Sequence, residues 1–316
     1  MTRPTILCPV DFSDASRGAL RYAAALAEHF FATLALLAVD DPFLVNAVDA
    51  ALGEGYLQAQ TRQELEQLTH STFPGQRPQV AELRFLHATG SPADEITRVS
   101  KEIHADAIVM STHGASGIRK LIFGSTTERV LREAELPVIV TPASDPGPES
   151  VEDWQRSATT LLVPVDMSEY TPRQLQIARG LAESLQASLV LAHVLEPLPH
   201  RRGHDTFVAN AEAARREKVH GQLEALAATL PTGLSHRLAI AVGDPASELA
   251  RIAKEQNASG IVMGLHASSS TGQRMGTVTY RLLCQTPVLV IAWPPARNDS
   301  PLIRPTGSRG QRLAGT

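Results

Sequence analysis

Cysteine is scarce: the 316 residues contain only Cys8 and Cys284. Two lone thiols, each inside an apolar run, build no disulfide framework. They point to a reducing compartment, where a free cysteine acts as a small apolar core residue. Aromatic residues make up 4% of the chain, too few for a platform that stacks bases. A formal net charge of -4 supplies no basic field for a phosphate backbone, so no nucleic-acid partner is expected. No apolar run reaches the length of a membrane span, and the opening MTRPTILCPVDF is broken by Pro9 and Asp11 too early for a leader. These absences predict a soluble, cytoplasmic protein with no membrane partner. Catalytic signatures are missing as well. There is no Gly-x4-Gly-Lys-(Ser/Thr) loop and no Gly-x-Ser-x-Gly elbow, and Pro-Val-Asp stands where a dinucleotide fingerprint would follow the first strand. Kinase, hydrolase and dehydrogenase chemistry therefore find no support.

What the chain does have is an internal repeat. Leu7-Cys-Pro-Val-Asp-Phe-Ser13 returns as Leu162-Val-Pro-Val-Asp-Met-Ser168, and Leu34–Pro42 returns as Leu189–Pro197. Gly90-Ser-Pro-Ala93 returns as Gly243-Asp-Pro-Ala246, Ala107–Gly114 as Gly260–Ala267, and Pro137–Val140 as Pro287–Val290. Five blocks in one order identify two copies of one domain. The first spans 1–143 and the second 158–295. The Pro-, Gly-, Ser- and acid-containing stretch 144–157 reads as a linker, and the aperiodic, Arg-bearing 296–316 as a disordered tail.

Each copy reads as β-α-β-α-β-α-β-α-β. In the first, strands are expected near 5–10, 34–39, 80–87, 107–111 and 138–141, mostly as continuous Val/Ile/Leu/Ala runs typical of sheets buried on both faces. Ser13 is placed to cap the first helix, and Ser91-Pro92 to open the third. Alternating strands and helices give a doubly wound, five-stranded parallel α/β sheet in each copy. The last strand of each copy, 138–141 and 288–292, would be an apolar edge. Such edges are usually paired, so the copies are expected to pair with each other about a pseudo-two-fold axis, with a homodimer as a further option.

In such a sheet a ligand lies outside the carboxyl ends of the strands, where strand order reverses. Two features fall at those ends: Pro-Val-Asp-x-Ser after strand 1, and the loop from Ser111 through Gly114 and nine residues to Gly124-Ser125. The loop runs into a helix start, whose N–H groups and positive dipole end suit phosphate, with Arg119 and Lys120 adding charge. With Gly-x-Pro-Ala before helix 3, these motifs resemble the universal stress protein family and its signature Gly-x2-Gly-x9-Gly-(Ser/Thr). The resemblance covers both copies. It implies a nucleotide-binding regulatory protein of the stress response, with ATP as ligand and Mg²⁺ between its phosphates. It also implies residue roles. Pro9, Val10 and Asp11 would line the adenosine side, with Asp11 near the ribose, and Val39, at the end of strand 2, would meet the adenine through its backbone. Met110, Gly114, Gly124, Ser125 and Thr126 would hold the phosphates, with Ser111 standing where the signature has its first glycine.

The second copy departs from the pattern. Asp166 and Val194 keep the adenosine side, and Gly264, Gly276 and Thr277 keep part of the loop. Ala267, however, replaces the second glycine, and eight residues rather than nine precede Gly276. Nucleotide is therefore expected mainly in the first copy.

Plainer readings stand beside these. Ser125 and Glu128 form a capping-box pattern that a helix would use with no ligand. Asp11 and Asp166 sit where a residue could simply start a helix. The alternative function is an interaction module of the same fold without nucleotide. A slow ATPase or adenylyl-transfer enzyme would need a general base, for which only Asp11 and His113 offer themselves. His200, His204 and Asp205 cluster without metal-site spacing and read as a solvated loop.

Overall fold

Short apolar runs form ten strands, most of them parallel, in a computed structural model described over residues 3–75, 77–112, 124–199 and 205–294. The tail, the loop 113–123 and the segment 266–275 lie outside the described residues. By packing, the described chain divides into two compact units. One is built from residues up to Ser157 together with those from Leu265, the other from Ala158–Gly264. The segment from Leu265, which the repeat assigns to the second copy, thus packs with the first unit.

In the first unit the chain runs through β1 (Thr5–Pro9), α1 (Asp14–Phe30), β2 (Thr33–Asp40), α2 (Pro42–Leu52), α3 (Tyr56–Thr72), β3 (Glu82–Thr89), α4 (Pro92–Glu102), β4 (Ala107–Ser111), α5 (Ser125–Glu133), β5 (Val138–Thr141) and α6 (Val151–Ser157). The sheet order is β3-β2-β1-β4-β5. It starts at β1, runs outward to β3, then crosses back to β4, so the reversal falls between β1 and β4. These two strands pair at Ile6–Ala107 and Leu7–Ile108, below the strand ends where the site lies. The middle strands are buried almost throughout, as their unbroken apolar sequences require. The connection from β2 to β3 holds two helices rather than the single one expected, because Gly53 and Gly55, both at positive φ, interrupt it. From the later part of the chain, α10 (Thr277–Gln285) and β10 (Leu289–Trp293) join this unit. β10 pairs antiparallel with β5, Val290 opposite Val140, so β5 is not an open edge.

The stretch expected as a linker is built onto the first unit. Trp154 of α6 is buried at 4% exposure and meets His29 of α1 edge-on, and Gln155 bonds the His29 Nδ1 at 2.8 Å. Tyr22 of α1 donates to Asp145 at 2.8 Å. Burial, with the Asp145 hydrogen bond second, pushes the Tyr22 phenol well above its usual range. A β-carbon at Gly18 would collide with the Asp145 carbonyl, which is why α1 carries a glycine where the strap crosses it.

The second unit contains β6 (Thr160–Pro164), α7 (Thr171–Leu185), β7 (Ser188–Leu195), α8 (Asp205–Ala227), β8 (His236–Val242), α9 (Pro245–Glu255) and β9 (Gly260–Gly264), with order β9-β6-β7-β8. Its registers mirror those of the first: β6 pairs β9 at Leu161–Gly260 and Leu162–Ile261. No helix among the described residues is long and apolar enough to cross a membrane.

Candidate nucleotide site

A cleft of about 440 Å³ opens at the strand-order reversal of the first unit. Of the residues singled out in the first copy, Pro9, Val10, Asp11, Val39, Met110, Ser111, Gly124, Ser125 and Thr126 all line it. Gly114, His113, Arg119 and Lys120 lie outside the described residues. The sequence reading missed Phe12, Ser16, Leu37, Ala38, Asp40, Pro92, Ile96 and Thr127, which complete the wall. Pro92 and Ile96 come from α4, whose packing over the sheet no local motif announces.

One side of the cleft is shaped by a strained turn. Phe12 sits at φ 62 between Asp11 and Ser13, a left-handed conformation uncommon for a bulky side chain. The turn lets the Asp11 carboxylate accept from the Ser13 amide at 3.2 Å and the Ser13 hydroxyl at 2.6 Å. Ser13 in turn caps α1 by accepting from the Ser16 amide. The second copy repeats this: Met167 has φ 61, and Asp166 accepts from the Ser168 amide and the Thr171 hydroxyl, each at 3.0 Å. Starting a helix is thus one task of both aspartates.

The other side is the start of α5. Gly124 is its N-cap and offers no side-chain bond, so Ser125 is the first helical residue and not the cap. Glu128 reaches forward to Arg132 at 2.8 Å. Both observations set aside the capping box. The first-turn N–H groups of α5, which have no helical acceptor of their own, therefore face the cleft end lined by Gly124, Ser125 and Thr126. Gly124 has φ -61, a value any residue adopts. Backbone freedom therefore does not require a glycine there. The residues on either side of 113–123 are joined: the Gly124 amide donates to the Thr112 carbonyl at 2.8 Å, and the Thr127 hydroxyl to the Ser111 carbonyl at 2.8 Å.

Cys8 lies below the site in β1, wholly buried, and burial pushes its thiol up to about 12. It is packing, not a nucleophile. Cys284, expected to be buried too, is only half-buried.

The residues singled out in the second copy are distributed differently. Asp166 follows β6, Val194 lies near the end of β7 and Gly264 ends β9, all in the second unit. Gly276 is the N-cap of α10 and Thr277 its first residue, in the first unit. Ala267 lies outside the described residues, as do His200 and His204. Below the strand ends, Gln174 of α7 is 6% exposed, and its amide nitrogen donates to the carbonyls of Pro164 and Val262 at 2.8 and 2.9 Å. Ala19 holds the equivalent place in α1. Among the described residues no group of three or more His, Cys, Asp or Glu side chains is arranged to hold a metal.

Comparison with known proteins bears on the whole chain. The model of the universal stress protein family matches residues 2–142 and 158–292. A universal stress protein of Methanocaldococcus jannaschii, MJ0531, is 27% identical over 135 residues, 43% of this chain and 79% of that protein. The crystal structure of a universal stress protein from Archaeoglobus fulgidus aligns over 93% of this chain and all of that chain, with a TM-score of 0.63 at 21% identity, a likeness of fold.

Proposed function

Because the chain belongs to the universal stress protein family, we propose that it is a cytoplasmic, ATP-binding regulatory protein of the stress response, with the nucleotide held in the first-unit cleft. One observation carries this reading: an uncapped helix start opens into the same cleft as an apolar wall, at the point where strand order reverses. A nucleotide has matching parts. Its base suits Val10, Leu37, Val39 and Ile96; its phosphates suit the amides at Ser125 and Thr126 and their hydroxyls; Asp11 stands where a ribose hydroxyl would donate. Mg²⁺ would arrive on the phosphates and neutralise part of their charge. This division leaves the protein to bind and orient. The Asp11 carboxylate is already engaged by Ser13, so binding rather than hydrolysis is the task assigned to it.

Titration of nucleotide-stripped protein with Mg-ATP tests the reading. About one ATP per chain is expected. Absence of binding by both calorimetry and a fluorescent ATP analogue would move the assignment to an interaction module of the same fold.

A further inference from the structure

Asp40 is the last residue of β2, follows Val39 directly and lines the cleft. Its Oδ2 accepts from the Thr61 hydroxyl of α3 at 2.9 Å and lies 2.8 Å from Nε2 of His87 on β3. Each side chain of the Asp40–His87 pair is only 16% exposed. Both contacts fall on one carboxylate oxygen, and no described residue donates to the other, Oδ1. A carboxylate has acceptor capacity for several donors, so half of this one is held in place and half is left for something else.

The fold does not demand the pair. In the second copy the same two register positions carry Leu195 and Ile240: His87 stands opposite Ala38 as Ile240 stands opposite His193, and Asp40 closes β2 as Leu195 closes β7. Two apolar side chains serve there, where a partly buried polar pair would have to offset its own desolvation. The polar version occurs at the cleft-lining position of the first copy.

We infer that Asp40 is a specificity-determining residue of the cleft: its Oδ1 accepts a hydrogen bond from the amino group of a 6-aminopurine, while His87 and Thr61 are positioning residues that hold the carboxylate for it. The inference rests on the nucleotide reading above. A 6-amino group is a donor, whereas a 6-oxo group is an acceptor and would meet the carboxylate with like polarity. A mismatched polar contact in a partly buried site costs about tenfold or more in affinity.

The test compares ATP with inosine triphosphate on the full chain by equilibrium titration. The native protein is expected to prefer ATP by at least about tenfold. Asp40→Leu, which installs the second copy's residue, should weaken ATP and bring the two affinities to within roughly threefold. Asp40→Asn, whose amide can donate to a 6-oxo group, should do the same mainly by improving inosine triphosphate. His87→Ile should lower the preference without abolishing ATP binding. The affinity ratio is read within one protein, so partial loss of folded material does not move it. A native protein that binds both nucleotides equally, or an unchanged ratio in both Asp40 variants, overturns the assignment to Asp40 and leaves the nucleotide reading standing. Failure of the native protein to bind either nucleotide overturns both.

Discussion

The same place beneath the strand ends is filled differently in the two copies: β1 and β4 of the first lie under Ala19, β6 and β9 of the second under Gln174. In the first copy α1 presents Ala19, which has no donor to offer. In the second α7 presents Gln174, whose amide bridges the end of β6 and the middle of β9. Strands that part after two paired positions leave carbonyls facing a gap, and such groups need partners. A glutamine supplies one from within the second copy, and an alanine offers none. The same contrast recurs at Asp40 and His87 against Leu195 and Ile240: one copy places polar groups there, the other apolar ones.

The sharpest way to break this comparison is a matched pair of substitutions. Gly124→Trp should lower ATP affinity by more than about a hundredfold, since an indole would fill the phosphate end. Gly276→Trp, at the matching place in the second copy, should leave affinity and stoichiometry unchanged. Equal losses from both would show that the copies are alike after all. Next in size, Gln174→Ala removes two hydrogen bonds at a buried site and should cost roughly 2 kcal/mol or more in urea unfolding. A loss under about 0.5 kcal/mol would show that the brace is not needed.

At neutral pH no effect of this kind is expected from the core beneath the cleft, and it emerges only in alkali. The folded-state pKa of Cys8, about 12, lies above the ordinary value of 9.0, so the folded chain keeps a proton that the unfolded chain releases between those values. Stability from this group is therefore complete below about pH 9 and falls above it by about 1.4 kcal/mol per pH unit, towards pH 12. Cys8→Ala should flatten the alkaline side of the stability profile, and iodoacetamide should fail to label Cys8 in the folded protein. The smallest effect belongs to a feature the copies share. Arg98 is clamped by Glu95 and Glu102, and Arg251 by Glu248 and Glu255, all on exposed helix faces. Arg98→Ala and Arg251→Ala should each leave the urea midpoint within error, because exposed pairs of this kind contribute little.

Much of this molecule is legible in the sequence because its strongest signals are local. Apolar runs such as Leu34–Val39 and Ile108–Met110 fall within the strands, and the repeat fixes their order twice. The motif residues converge because each sits at the carboxyl end of a strand or the start of the following helix. What escaped is non-local or conformational. Thr61 and His87 are 21 and 47 residues from Asp40, and Val262 is 88 residues from Gln174. No window of sequence joins them. The capping box at Ser125 misled for a subtler reason: the pattern is real, but Gly124 takes the cap position and shifts the helix start by one residue. The strap on α1 was read as a linker because Pro, Gly and Ser mark irregular chain, whether or not a single tryptophan anchors it.

Phe12 and Met167 occupy the same left-handed position in both copies, although the surroundings of the two turns have diverged. A conformation that outlasts divergence of its surroundings is a property of the shared scaffold. In both copies the aspartate and the left-handed residue shape the turn before the following helix, which Ser13 caps in the first and whose first residue, Thr171, bonds Asp166 in the second. The two bulky residues there also invert the usual rule for glycine. At most helix-proximal positions glycine loosens a protein, but here it would relieve a steric conflict that the native side chains endure.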